Sequence, residues 1–174
     1  RFLASQSSTH NLPEPTFPRM KNPLVDYIRT NPNWEEDLKK DPFNIIIRWD
    51  ENDSGLVLFT YNQISSDFYN PIVRVSRGII LRITEFPEHA GLADNKTEVE
   101  VVCWPFNKFG NYGEGYADKI DWSTAKVQEK VDGSIMKLWW LDSAKKWMWS
   151  TNGTIDAMKT KLPTDLGACK TFGH

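Results

Sequence analysis

The stretch Glu129-Lys130-Val131-Asp132-Gly133-Ser134 places a lysine just ahead of an aspartate–glycine pair. Such a pair favours a turn, because glycine adopts positive φ without steric cost and aspartate can bond to nearby backbone. Residues 126–129 alternate weakly, and residues 135–141 are apolar and aromatic, which is typical of a half-buried strand. The pattern therefore predicts that Lys130 stands at the rim of a sheet, in a turn between strands.

A lysine amine at the rim of a sheet can act as a nucleophile. Partial desolvation and nearby cations lower the pKa of a lysine, so that Lys130 would be nucleophilic near neutral pH. Gly133 would let the main chain approach a bulky ligand, and a nucleotide phosphate suits that arrangement. The alternative is an ordinary hairpin turn with an exposed lysine, since Lys-x-Asp-Gly also occurs by chance.

Further motifs accompany this stretch in a fixed order. They are Leu58-Phe59-Thr60-Tyr61-Asn62-Gln63, Val75-Ser76-Arg77-Gly78-Ile79-Ile80-Leu81, Trp104-Pro105-Phe106-Asn107-Lys108-Phe109, the lysine stretch itself, and Ser150-Thr151-Asn152-Gly153-Thr154. By their order and rough spacing the chain resembles the phage T4-type RNA ligase family, among the covalent nucleotidyltransferases that include DNA ligases and mRNA capping enzymes. The resemblance extends from about Asn44 to Ile155.

The resemblance implies a fold and a reaction. The fold would be α+β with a largely antiparallel sheet, as in nucleotidyltransferases of the ATP-grasp-like ligase type. Lys130 would be the catalytic residue: it attacks ATP and carries AMP, which passes to an RNA 5′-phosphate and is displaced by an RNA 3′-hydroxyl. Mg²⁺ would spread the charge on the phosphoryl oxygens, with no residue assigned as its ligand. The residues expected to bind ATP are Tyr61, Arg77, Lys108, Glu129, Asp132, Gly133 and Asn152.

Some of these side chains suit phosphate binding by their own chemistry. Arg77, beside Gly78 and ahead of an apolar strand, offers several donors in a fixed fork. Lys108 has aromatic neighbours that would give a purine a face to stack on. Arg74 is interpreted as a solvated charge. The later glycines do not form a P-loop, because no helix with Lys-Ser/Thr follows them.

The chain also departs from the family pattern. Asn152 stands where the family commonly has a basic residue, so it brings hydrogen bonds but no charge. No glutamate follows Glu129, although the family needs later glutamate segments and a lysine pair. We therefore expect residues 21–174 to be the N-terminal portion of an adenylation domain, behind an extended arm at 1–20. A further stretch of chain or a partner subunit would have to supply the missing motifs, and without them full ligation should fail.

Composition narrows the class of protein. A chain of 174 residues with 40% hydrophobic and 25% charged residues fits one globular domain. A net charge of -2 argues against a strongly basic nucleic-acid surface, so RNA would need a local patch. Cys103 and Cys169 lack a metal-ligand spacing. No signal peptide or membrane-spanning run is found, which predicts an intracellular protein without membrane contact.

Two other functions remain open at this stage. A DNA ligase or an mRNA-capping-type nucleotidyltransferase shares the lysine chemistry, although the segments around Tyr61 and Arg77 favour the RNA ligase. A ligase-derived domain without catalysis, kept for binding or as a scaffold, is the other alternative, and the incomplete motif set favours it.

Local patterns predict the other elements. Asn33 and Glu36 have the spacing of a capping box at a helix start, and Pro42 would end that helix. The predicted helices are 23–30, 34–40 and 154–161, the predicted strands are 44–49, 56–61, 99–104 and 147–150, and residues 71–81 are predicted as a loop that runs into a strand.

Overall fold

The computed structural model describes residues 21–85, 97–158, 160–166 and 169–171, so the arm predicted at 1–20 lies outside the described residues. Within them the chain is α+β with mostly antiparallel strands, which confirms the predicted class. The elements are α1 (Pro23–Thr30), α2 (Trp34–Leu38), β1 (Ile45–Trp49), β2 (Leu56–Tyr61), α3 (Pro71–Val75), β3 (Arg77–Glu85), β4 (Thr97–Cys103), β5 (Lys137–Leu141), a 3₁₀ turn (Asp142–Ala144), β6 (Lys146–Ser150), β7 (Lys161–Leu166) and β8 (Cys169–Thr171).

The helix starts illustrate how local chemistry sets the boundaries. In α1 the side chain of Asn22 accepts hydrogen bonds from the backbone N–H groups of Leu24 and Val25, at 3.0 and 3.3 Å. The capping box predicted for α2 is wrong, because Asn33 makes no side-chain cap bond there. Its backbone, at φ -98 and ψ 21, is outside the extended region that a capping residue usually adopts.

The central layer is a four-stranded sheet in the order β1-β2-β3-β4, with every neighbouring pair antiparallel. Strand β2 is buried on both faces, so it reads as a continuous apolar run. Val57 and Phe59 pack toward the helices, while Leu56 and Leu58 pack toward the β5–β6 hairpin. The sheet therefore separates two apolar cores.

The β5–β6 hairpin forms the third layer. Trp139 and Leu141 alternate along β5 and pack on the sheet beside Ile80. The Trp139 indole N–H donates a 3.1 Å hydrogen bond to the buried Ser150 hydroxyl across the hairpin. This bond removes the cost of burying a polar edge in an apolar core.

Residues 71–75 form helix α3, where the sequence predicted a loop. Asn70 accepts a 2.9 Å hydrogen bond from the N–H of Ile72, and Pro71 occupies the first turn. Proline is favoured at that position because its missing N–H is unpaired there in any case. The Asn70-Pro71 pair is a sequence signal for the start of a helix, and the prediction of a loop did not take it into account.

The strand predicted at 126–129 is wrong, and β5 begins only at Lys137. Residues 104–136 contain turns and coil but no strand, so Lys130 does not stand at the rim of a sheet. The exposed fraction of Val127 is 103%. The weak alternation therefore buries no apolar surface, and without such burial a strand pairing has little to stabilise it.

The helix predicted at 154–161 is also wrong. Residues 154–158 are non-helical, and Lys161 already belongs to β7, which pairs antiparallel with β8. Asp156 instead accepts a 3.0 Å hydrogen bond from the backbone N–H of Met158, a local turn that competes with helix formation.

Gly78 provides a test of the packing between β3 and the segment after β6. It has φ +81, and a Cβ there would lie 2.6 Å from the Cα of Asn152. Gly113, at φ +89 with no atom within 4 Å of that position, is the matched control. We expect Gly78→Ala to lower the free energy of unfolding by about 3 kcal/mol and Gly113→Ala by about 1 kcal/mol, measured by urea denaturation. Equal losses would show that the close approach at Gly78 is not tight.

Candidate functional site

Tyr61 and Arg77 meet where β2 ends and β3 begins. Thr60 pairs with Arg77 across the two strands, and the backbone N–H of Tyr61 donates a 2.8 Å hydrogen bond to the carbonyl of Ser76. The Tyr61 ring then contacts Phe68 edge-on, with 5.1 Å between the ring centres. The antiparallel pairing of β2 with β3 thus brings two separate sequence motifs to one end of the sheet.

Lys108 joins the same place from the coil after β4. Its ammonium nitrogen lies 5.1 Å from the ring centre of Phe68 and 5.7 Å from that of Tyr116. It also donates a 3.2 Å hydrogen bond to the carbonyl of Phe109. An ammonium group held over aromatic faces is stabilised by their negative quadrupole.

Arg74 holds this coil on helix α3, so its interpretation as a merely solvated charge is wrong. Its carbonyl accepts a 2.8 Å hydrogen bond from the backbone N–H of Lys108, and its Nε donates to the Lys108 carbonyl at 3.3 Å. Its guanidinium also bonds both carboxylate oxygens of Asp118, at 3.0 and 2.9 Å. Arg74 therefore positions Lys108 through the main chain.

The Arg77 guanidinium completes what we call the cation–aromatic cluster. Its central carbon lies 5.0 Å from the ring centre of Phe109, and its buried Nε has no hydrogen-bond partner in the part of the chain described. The cluster consists of Tyr61, Phe68, Arg77, Lys108, Phe109 and Tyr116.

The acidic side chain of Glu114 lies beside the cluster, and its pKa is lowered by hydrogen bonding to the Tyr116 hydroxyl and, more weakly, by the charge of Lys108. Neither Arg77 nor Lys108 forms an ion pair with a carboxylate of residues 21–85 or of the described residues that follow. A buried donor without a partner is rare in folded proteins and needs an explanation. Cations beside aromatic faces are suited to a ligand that combines an anion with a flat ring.

Asn152 reaches the neighbourhood of Arg77 from the other side. Its backbone packs against Gly78, the residue after Arg77, at a distance that only a glycine permits. The structure thus brings together Tyr61, Arg77 and Lys108 in one cluster. Asn152 lies on the hairpin side of β3, where it contacts Gly78, and no described contact joins it to the cluster.

The remaining predicted site residues lie elsewhere. Glu129, Lys130, Asp132 and Gly133 are all exposed, in coil. The chain bends at Gly133, which has φ +140 and whose N–H donates to the Asp132 side chain at 3.1 Å, but the hydrogen-bonded turn predicted there is absent. Within the described residues, no hydrogen bond, ion pair or ring contact links this stretch to the cluster.

Lys137 is a buried lysine near the site that was not among the residues predicted from the sequence. Only 8% of its surface is exposed, and its amine donates a hydrogen bond to the carbonyl of Gly78. Burial lowers the pKa of Lys137 to about 8, because the charged form loses its hydration. Burial likewise raises the pKa of the neighbouring Cys103 thiol. The alternation of Lys137 with Trp139 and Leu141 was the signal, since these residues share the inner face of β5.

Two broader properties of the described residues bear on function. They contain no group of three or more His, Cys, Asp and Glu side chains that could hold a metal ion. Among the same residues, no helix has the length and apolar character needed to cross a membrane.

Comparison with known proteins finds no relative. No family model, no curated protein and no solved structure matches the chain. A function has to be inferred from the residues of the chain itself.

The buried amine of Lys137 predicts a dependence of stability on pH. Its pKa of about 8 lies below the ordinary value of 10.5, so the unfolded chain binds the proton more tightly. The contribution of Lys137 to stability therefore rises with pH between those two values. In urea denaturation across that range, we expect wild type to gain up to about 3 kcal/mol relative to Lys137→Met. Lys146→Met, at an exposed lysine of the same hairpin, should leave the slope unchanged, and an unchanged slope in Lys137→Met would contradict the burial of the amine.

Proposed function

We propose that the chain is the adenylylating portion of an ATP-dependent RNA ligase with a nucleotidyltransferase fold. One observation carries the proposal: Tyr61, Arg77 and Lys108, far apart in sequence, meet in one cluster. These are positions that the family resemblance assigns to ATP. The resemblance rests on short motifs, and the meeting of these three residues in space supports it.

The cluster suggests how ATP would be held. Arg77 and Lys108 would take the phosphates, because neither cation forms an ion pair among the described residues. The half-exposed ring of Phe109 would offer a face to the purine, since it already lies beside the Arg77 guanidinium.

Lys130 would reach this cluster by closure of the coil that carries it. Val127 and Val131 on that coil are exposed, so docking the coil would remove apolar surface from water. Long segments without secondary structure in compact domains are often lids or binding loops. Closure would also desolvate the Lys130 amine next to two cations, which favours its neutral, nucleophilic form.

The proposed reaction then proceeds by phosphoryl transfer. The neutral Lys130 amine attacks the α-phosphorus of ATP, the bond to the β-phosphate breaks, pyrophosphate leaves with the electron pair, and the amine loses a proton. An oxygen of the RNA 5′-phosphate next displaces Lys130 from the adenylate, and an RNA 3′-hydroxyl finally displaces AMP. Arg77 and Lys108 would stabilise the charge that develops on the phosphoryl oxygens.

No residue is assigned as a metal ligand in these steps. Among the described residues, no group of three or more His, Cys, Asp and Glu side chains could hold a metal ion. In this proposal Mg²⁺ enters with ATP as the counter-ion of its phosphates, and the positioning is done by Arg77 and Lys108.

A second candidate is a binding or scaffold domain that holds a nucleotide without transferring it. The exposure of Lys130 favours this alternative, because the amine is not held against the cluster. A DNA ligase or a capping-type enzyme shares the lysine chemistry and differs in the nucleotide or the polynucleotide used.

Covalent labelling separates these candidates. We expect the protein to retain label after denaturation when it is incubated with α-labelled ATP and Mg²⁺, and Lys130→Ala to lose that label completely. Lys126→Ala, at an exposed lysine of the same coil, is the control and should label normally. Label from GTP alone would indicate a capping-type enzyme, and no label with either nucleotide would favour the binding domain. Persistent labelling of Lys130→Ala would reject the site assignment.

A second experiment tests the role of the cluster. Lys108→Gln removes a cation that forms no ion pair in the described part of the chain. A charge-assisted hydrogen bond is worth about 1.5–3 kcal/mol, so the ATP concentration for half-maximal labelling should rise at least about tenfold. Lys119→Gln, an exposed lysine outside the cluster, should leave that concentration unchanged. Equal behaviour of the two variants would exclude Lys108 from the ATP site.

A further inference from the structure

A cleft opens on the helix side of the sheet, next to the cation–aromatic cluster. It has a volume of about 750 Å³ and lies between the starts of α1 and α3 and the coil after β4. Lys108 and Phe109 line it and also belong to the cluster. Its size is in the range of sites that hold a small molecule or one unit of a polymer.

The charges of the cleft favour an anion. Arg74 and Asp118 both line it, but they neutralise each other through a 2.9 Å ion pair. Within the described residues neither Lys21 nor Lys108 forms an ion pair, although Lys108 interacts electrostatically with Glu114. Two amines in a partly enclosed site attract a phosphate more strongly than they would on an open surface.

Aromatic surface accompanies those amines. The exposed fraction of Phe106, on the cleft wall, is 81%, so its ring is free to take a stacking partner. Trp104 lines the cleft as well, and its indole N–H is already satisfied by a 3.0 Å hydrogen bond to the Asn107 side chain. The ring is partly buried against the helix-side core, so the part of its face that lines the cleft, rather than its polar edge, is what it can offer to a ligand.

We propose that this cleft binds a nucleotide unit of a single-stranded nucleic acid. The base stacks on Phe106 and Trp104, and the phosphate pairs with Lys21, while Lys108 stays with the ATP phosphates. An acidic peptide would satisfy the amines but would leave the aromatic faces unused. The inference deepens the proposed function, since it locates the RNA beside the adenylate, yet binding needs neither ATP nor Lys130.

Fluorescence anisotropy with a short, end-labelled single-stranded RNA, without ATP, tests the cleft. We expect Phe106→Ala to weaken binding roughly tenfold, from the loss of one stacking contact. Lys21→Gln should weaken binding about threefold and reduce the slope of log K against log salt by about 0.7. Tyr112→Ala and Lys119→Gln, both exposed on the same coil and outside the cleft lining, are the matched controls and should bind as wild type.

The possible outcomes are distinct. Absence of RNA binding, or equal affinity of Phe106→Ala and Tyr112→Ala, overturns the proposal. Competition by a poly-glutamate peptide that is as strong as competition by unlabelled RNA also overturns the proposal, because it would assign the cleft to acidic proteins. Normal RNA binding by Lys130→Ala supports the cleft even if no adenylate forms, so the cleft and the adenylylation can fail separately. Near-UV circular dichroism of each variant confirms that the fold is intact.

Discussion

The close approach at Gly78 is the constraint on which the rest of the structure depends. The backbone of Asn152 and the amine of Lys137 occupy the space that a side chain would need there. This contact fixes the β5–β6 hairpin and the segment after it against β3, one residue from Arg77. A glycine at positive φ therefore sets the packing between two layers, directly after the arginine of the candidate site.

One part of the candidate site is fixed by strand pairing and hydrogen bonds, and the other part lies in exposed coil. Arg77 starts a strand of the central sheet, and Lys108 is fixed to α3 through its main chain, so the cations are held in place before any ligand binds. Such preorganisation lowers the cost of binding an anion. Lys130 lies instead in exposed coil, where few contacts oppose its movement. The proposed chemistry needs both properties, since a fixed nucleotide must meet a nucleophile that arrives later.

The sequence predicted the fold where local and tertiary signals agree. Helix 23–30 and strand 56–61 were predicted with their observed bounds, because the helical pattern of the first and the apolar character of the second match the burial. The prediction of a strand at 126–129 was wrong because the weakly alternating residues there are not buried. Lys137 was overlooked because a lysine is normally read as solvated, and only the packing of β5 on the sheet shows otherwise. Proximity of Arg77 to Lys108 was implied by the family resemblance and not by any local pattern.

Hydrogen–deuterium exchange with and without saturating ATP tests the central claim most directly, namely that ATP binds the cation–aromatic cluster and draws in the Lys130 coil. Slower exchange is predicted for the amides of residues 104–116 and 126–136, while the β5–β6 hairpin stays unchanged. Saturation with ATP that leaves both of these segments exchanging as before would contradict the account.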